Sequence, residues 1–97
     1  MYEFEWHEEK ALLNLIKHKI SFQEAKTVFD DILALDYFDE LHSELEHRNI
    51  IVGNSINNRL LFVSYIDKNK KIRIISARLA TKNEKKQYEK QCNYFKR

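Results

Sequence analysis

A chain of 97 residues with 43% apolar and 33% charged side chains has the size and composition of one soluble globular domain, 1–97, able to bury a core without disulfides or metal. No apolar run is long enough to span a bilayer, Met1-Tyr2-Glu3-Phe4-Glu5 lacks the basic and apolar regions of a signal peptide, and the single Cys92 can form no internal disulfide. A reducing cytoplasm is therefore the expected setting. The net charge of +2 hides an asymmetry, with 12 acidic against 5 basic side chains up to Arg48 and 3 against 12 after it, −7 followed by +9; the halves either neutralise each other across the core or leave a basic face that attracts phosphates.

Tyr2 to Trp6 alternates aromatic and acidic residues and reads as a short edge strand with one buried face. From Glu8 to His18 the period changes: Ala11, Leu12, Leu15 and Ile16 form one stripe at helical spacing, which predicts a helix burying that stripe and ending near Lys19. Ser21-Phe22-Gln23-Glu24 is a capping box with Ile20 and Ala25 as a modest staple, and Phe22, Ala25, Val28 and Phe29 continue a second helix as far as Asp30-Asp31. Leu33–Asp39 reads as a strand, Glu40–His47 as a polar loop, and Arg48–Gly53 as a second strand. The asparagine-rich Asn54–Asn58 turns the chain into Arg59–Ile66, and Asp67–Lys70 turns it again, so three strands with short polar connections form an antiparallel meander.

The last of these strands, Lys71–Arg78, carries three isoleucines within Ile72–Ile75 and is expected at the middle of the sheet. Arg73 and Arg78 must each find a carboxylate, water or an anion. Regular alternation puts them on opposite faces of the strand. Arg78 stands just before a second capping box, Thr81-Lys82-Asn83-Glu84, and would lie beside the free amides of a terminal helix carrying Tyr88, Cys92 and Phe95 on one side. Arg73 is assigned a carboxylate from the acidic half. The order strand, helix, helix, four strands, helix gives an α+β fold, with helices on one face of a mainly antiparallel sheet and the other face open.

Glycine occurs once and proline never, so no glycine-rich phosphate loop exists. The serines have no nucleophile context, Cys92 reads as a small core residue, and His42, Glu44, Glu46 and His47 match no recognised metal spacing. No cofactor or metal is expected. The remaining equipment is Lys17 and His18 at a helix end, Arg48 at a strand start, and Arg73 and Arg78. Such cations suit a metal-independent ribonuclease, in which the RNA's own 2′-hydroxyl attacks and the protein neutralises the phosphorane and moves protons. Composition does not separate this from plain RNA binding.

Phe4-Glu5-Trp6, Lys10, Asn14, Lys17-His18, Ser21-Phe22, Glu24-Ala25 and Val28-Phe29-Asp30, then His42-Ser43-Glu44, Glu46, Arg48, Gly53, Ile72 to Arg78, Ala80, Glu84 and Tyr88 form an ordered set. With these residues the chain resembles the BrnT family of bacterial type II toxins. The resemblance implies a RelE-like fold, ribonuclease activity that inhibits translation, and a hetero-oligomer with a BrnA-like antitoxin through which operator DNA is bound. Lys17, His18, Arg48 and Arg78 are then expected to converge as catalytic residues, His18 moving the proton, with Lys71 and Lys82 as further RNA-binding cations. An acidic or amphipathic antitoxin segment would cover this basic face. A catalytically inactive RNA-binding or co-repressor subunit is the alternative reading, and a structural interaction domain a third. The chain departs from the family pattern at His7, where aspartate is usual, at Lys19 for glycine, at Ile32 for proline and at His47 for an acidic residue.

Overall fold

The computed structural model describes residues 2–43 and 46–95. In chain order these form β1 (Glu3–Glu5), α1 (Glu8–His18), α2 (Phe22–Thr27) running into a 3-10 turn at Val28–Asp30, β2 (Leu35–Phe38), and a 3-10 turn at Glu40–His42. β3 (Arg48–Asn54), β4 (Leu60–Asp67), β5 (Lys71–Leu79) and α3 (Lys82–Phe95) follow. The sheet order is β1-β5-β4-β3-β2. β2 to β5 pair antiparallel and β1 joins β5 in parallel, so the sheet is mixed. β4, not β5, is the middle strand.

Alternation along the strands separates two apolar clusters. On one face Ile51, Leu61, Val63, Tyr65, Ile72, Ile74 and Ala77 meet Ile20, Phe22, Ala25 and Val28 from α2 and its flanks. On the other, Ile50 and Val52 meet Tyr88 of α3, with Leu60, Phe62, Ala80 and Cys92 packed around them. The helices thus do not share a face: α2 packs on one side and α3 on the other, leaving open only the part of the second face that α3 does not reach. Asp31 ties the layers together, accepting from Asn54 N (2.8 Å), Leu33 N (3.0 Å) and Tyr88 Oη (2.6 Å). Gly53 lies under this junction, where a Cβ would come 2.9 Å from Ala34 Cβ, closer than two carbons pack.

Of the four residues in the predicted α1 stripe only Ala11 packs on the core. Leu12, Leu15 and Ile16 are exposed, and Asn14 is buried instead. The reason is the short β1, which pairs β5 only from Lys71 to Arg73. Beyond it the β5 edge would be unpaired, and Asn14 fills it as a piece of strand would: its Oδ1 accepts from Ala77 N (3.0 Å) and its Nδ2 donates to Ala77 O (2.9 Å) and Ile20 O (2.9 Å). Satisfying a sheet edge needs an amide, so the inward side of α1 is polar where a helix on a core would be apolar.

The helix ends follow the local chemistry. His7 caps α1 without a side-chain hydrogen bond, and Lys19 takes the left-handed φ of 62° that glycine would hold at about 1 kcal/mol less strain. At α2, Ser21 Oγ accepts from Glu24 N (3.0 Å), but the reciprocal half of the box is absent because the Glu24 carboxylate is spent on Ser55 (2.7 Å) and Arg59 Nε (2.9 Å). These donors, led by Arg59 and opposed by burial, hold the Glu24 carboxyl at about 2. At α3 both halves form, Thr81 N to Glu84 Oε1 at 2.8 Å and Glu84 N to Thr81 Oγ1 at 3.2 Å.

Candidate active site

On the open part of the second face, β2 to β5 form the floor of a basin of about 640 Å³. Arg48, Ile50, Phe62, Ser64, Ser76 and Arg78 line it from the strands, and Tyr37 to His42 wall it along β2 and the 3-10 turn. The registers make this floor: Ile50 lies opposite Ser64, Ser64 opposite Ser76, and Phe62 opposite Arg78. The two small serines at its centre create the depression between larger neighbours.

Arg78 is held from three sides. Its guanidinium stacks 3.8 Å from the Phe62 ring centroid. Nη1 and Nη2 donate to the two Glu84 oxygens at 2.8 and 3.0 Å, and Nη1 donates to Leu79 O at 3.1 Å. Burial would raise the Glu84 carboxyl, but Arg78 and Thr81 hold it below its ordinary value. The expected place of Arg78 at the start of the terminal helix is therefore found, with Glu84 as its partner there. Among the described residues, its Nε–H and second Nη2–H remain as an unused fork.

Arg48 approaches from the other side. Its Nε is buried without a partner among the described residues, and Nη2 is 3.5 Å from Glu46. Its backbone is tied to the wall, since Arg48 N donates to Ser43 Oγ (3.0 Å) and Asp39 N donates to Arg48 O (2.9 Å). The buried Asp39 carboxylate sits 3.0 Å from His42 Nδ1, which leaves Nε2 without a partner among the described residues. Burial and the carboxylates of Glu84 and Asp39 raise the Tyr37 phenol, against the pull of Arg78, so Tyr37 enters the basin as a hydrogen-bond donor. Among the described residues no three His, Cys, Asp or Glu side chains cluster as metal ligands, and Glu44 lies outside those residues.

A family model described as "Ribonuclease toxin, BrnT, of type II toxin-antitoxin system" matches residues 6–84. The chain belongs to the BrnT family. Its fold is similar to the crystal structure of the Brucella abortus ribonuclease toxin BrnT, with a TM-score of 0.64 at 18% identity over 84% of this chain and 100% of that one. A comparison with curated proteins finds no match. Membership in this family implies an antitoxin partner. No helix among the described residues is long and apolar enough to cross a membrane.

Within this BrnT-family chain the four residues expected to converge do not all do so. Arg48 and Arg78 share the basin. Lys17, exposed, and His18, half-buried, end a helix whose Ala11 packs on the first core, across the sheet from it. A helix that plugs the β5 edge cannot also deliver its C-terminus to the opposite face. Lys71 is engaged at the far end of β5, 3.7 Å from Glu5, and Lys82 is exposed in the first turn of α3, two residues from Glu84.

Arg73 also lies on a different face from the one expected. Ser64 pairs with Ser76 but Tyr65 with Ile74, so Ile75 is an extra residue that shifts the alternation by one. Ile72 and Ile74 lie in the first core, which turns Arg73 to the same face as Arg78. It is paired there with Glu5, Nε to Oε2 at 2.7 Å, the acidic-half carboxylate expected for it. His42, expected only within a His and Glu spacing that matches no metal site and within the family resemblance, and Tyr37, expected only within a strand, both line the basin. The signal was present in the Asp39…His42 spacing of three, which a single helical turn brings together.

Proposed function

We propose that the chain is an endoribonuclease that cuts RNA in this basin without a metal, through attack of the 2′-hydroxyl on the adjacent phosphate. The observation that carries the reading is the meeting of two arginines from different strands, each with donors unused among the described residues, and a carboxylate-held histidine. The free Nε–Nη2 fork of Arg78 and the guanidinium of Arg48 would hold the scissile phosphate and take up the charge of the phosphorane. His42, oriented by Asp39, would transfer the proton, in place of the His18 expected from the sequence, and Tyr37 would donate to a phosphate oxygen. Glu84 acts as a positioning residue for Arg78. Lys82 extends the cationic rim along the RNA.

The biological reading follows the family: inhibition of translation in the cytoplasm, neutralisation by a BrnA-like antitoxin, operator binding through that antitoxin, and RelE-like kinship of the fold. An acidic antitoxin segment laid over the basin would occlude Arg48 and Arg78 and gain speed of association from charge. The test is cleavage of a defined RNA by the purified chain in excess EDTA. Products ending in 2′,3′-cyclic phosphate, lost in Arg48→Ala and His42→Ala, are expected. Cleavage that requires added divalent metal, or full activity in Arg48→Ala, overturns the reading.

A further inference from the structure

α1 shows its apolar side to solvent. Leu12, Leu13, Leu15 and Ile16 are 60%, 64%, 46% and 64% exposed. At 100° per residue they cover one continuous side of the helix, opposite the side on which Ala11 and Asn14 are held. A solvated helix gains nothing from four large apolar side chains in register, and a patch of this kind marks an interaction surface.

The charges around the patch are ordered. Glu8 and Glu9 stand at its N-terminal end, Lys17 and Lys19 at its C-terminal end, and among the described residues no ion pair engages any of the four. A helix with an acidic start, an apolar middle and a basic finish is complementary to its own antiparallel copy. A two-fold axis at Asn14, the midpoint of the apolar residues, sets Leu12 against Ile16 of the copy, Leu13 against Leu15, and Glu9 beside Lys19. The same residue types that neutralise a helix dipole here also supply the match across the axis.

We propose that the outer face of α1 is a self-association surface on which a second copy of this chain docks, helix against antiparallel helix. The surface lies across the sheet from the basin, so association leaves the RNA site open and is independent of the ribonuclease reading. Four such side chains fall short of the roughly 800 Å² per partner of a standard stable interface, so the dimer forms at micromolar and higher concentration.

Sedimentation velocity of the purified chain, from low micromolar to several hundred micromolar, tests it. The weight-average mass is expected to climb from 11.8 kDa towards twice that value. Leu12→Glu and Ile16→Glu, both at exposed positions, should stay monomeric with an unchanged circular dichroism spectrum. Glu9→Lys should weaken association at least several-fold, and adding Lys19→Glu should restore it. A wild-type chain that is monomeric throughout overturns the proposal, as does a dimer that survives Leu12→Glu. Failure of the charge-reversed pair to recover overturns the antiparallel arrangement. If the chain stays monomeric but Leu12→Glu abolishes capture of a co-expressed antitoxin, the face belongs to that partner and not to a second copy.

Discussion

The two faces of the sheet are built from the same strands and covered to different extents. On the α2 side Ile20, Phe22, Leu61 and Val63 are completely buried, and Asn14 is satisfied by Ala77 and Ile20 and Glu24 by Arg59 and Ser55, with Trp6 Nε1 left without a partner among the described residues. On the basin side α3 covers one end only, and beyond it the alternate residues of β3, β4 and β5 become Arg48, Ser64, Ser76 and Arg78. The buried Arg48 Nε, a charged donor, is left unsatisfied there among the described residues. Such a donor costs about 1–3 kcal/mol unless an outside acceptor reaches it. The pleat therefore lets one strand serve packing on one face and line an open cationic basin on the other, so substitutions should separate the two properties.

The sharpest break should come from Phe22→Ala. Removing this fully buried ring should cost about 3–5 kcal/mol, read as a lower urea midpoint; a change below about 1 kcal/mol would mean the α2 side is not the main core. Arg78→Ala should reduce RNA cleavage by about 10² or more while the urea midpoint shifts much less than in Phe22→Ala. Equal losses of stability in the two variants would erase the distinction between the faces.

Acid should act on the α2 side. The folded Glu24 carboxyl, at about 2 against an ordinary 4.5, contributes stability that is fully present above pH 4.5 and is lost as the pH falls towards 2. The contribution is on the order of 3 kcal/mol. Arg59→Met should flatten this part of the stability profile, and an unchanged profile would remove the Glu24–Arg59 pair from the core's support. Asn14→Ala should cost about 1–3 kcal/mol by orphaning both backbone groups of Ala77, visible as faster amide exchange at Ala77 than in the wild type. Arg73→Ala should have the smallest effect, since its pair with Glu5 at the sheet's edge is only half-buried and partly screened by water. A large loss of cleavage in that variant would extend the active face to the far end of β5.

Local chemistry was legible in the linear sequence. The box at Thr81–Glu84, the Ser21 cap, the end of α1 near Lys19 and nearly every strand follow from neighbours within four residues, and Arg78 could be named because an arginine in an apolar strand is rare and costly, Arg48 as a cation at a strand start. The relations between elements were not. One extra residue at Ile75 reversed the facing of Arg73, because side-chain direction depends on the pairing of two strands and not on spacing along one. The length of β1 decided that α1 must offer Asn14 to a bare edge, which turned its leucines outward and carried Lys17 and His18 to the wrong side for the basin. His42 reached the site only because the wall built on Asp39 folds back onto Arg48. Propensity and capping act through the chain's immediate neighbours, whereas a basin between strands is assembled from residues that meet only when the sheet has formed.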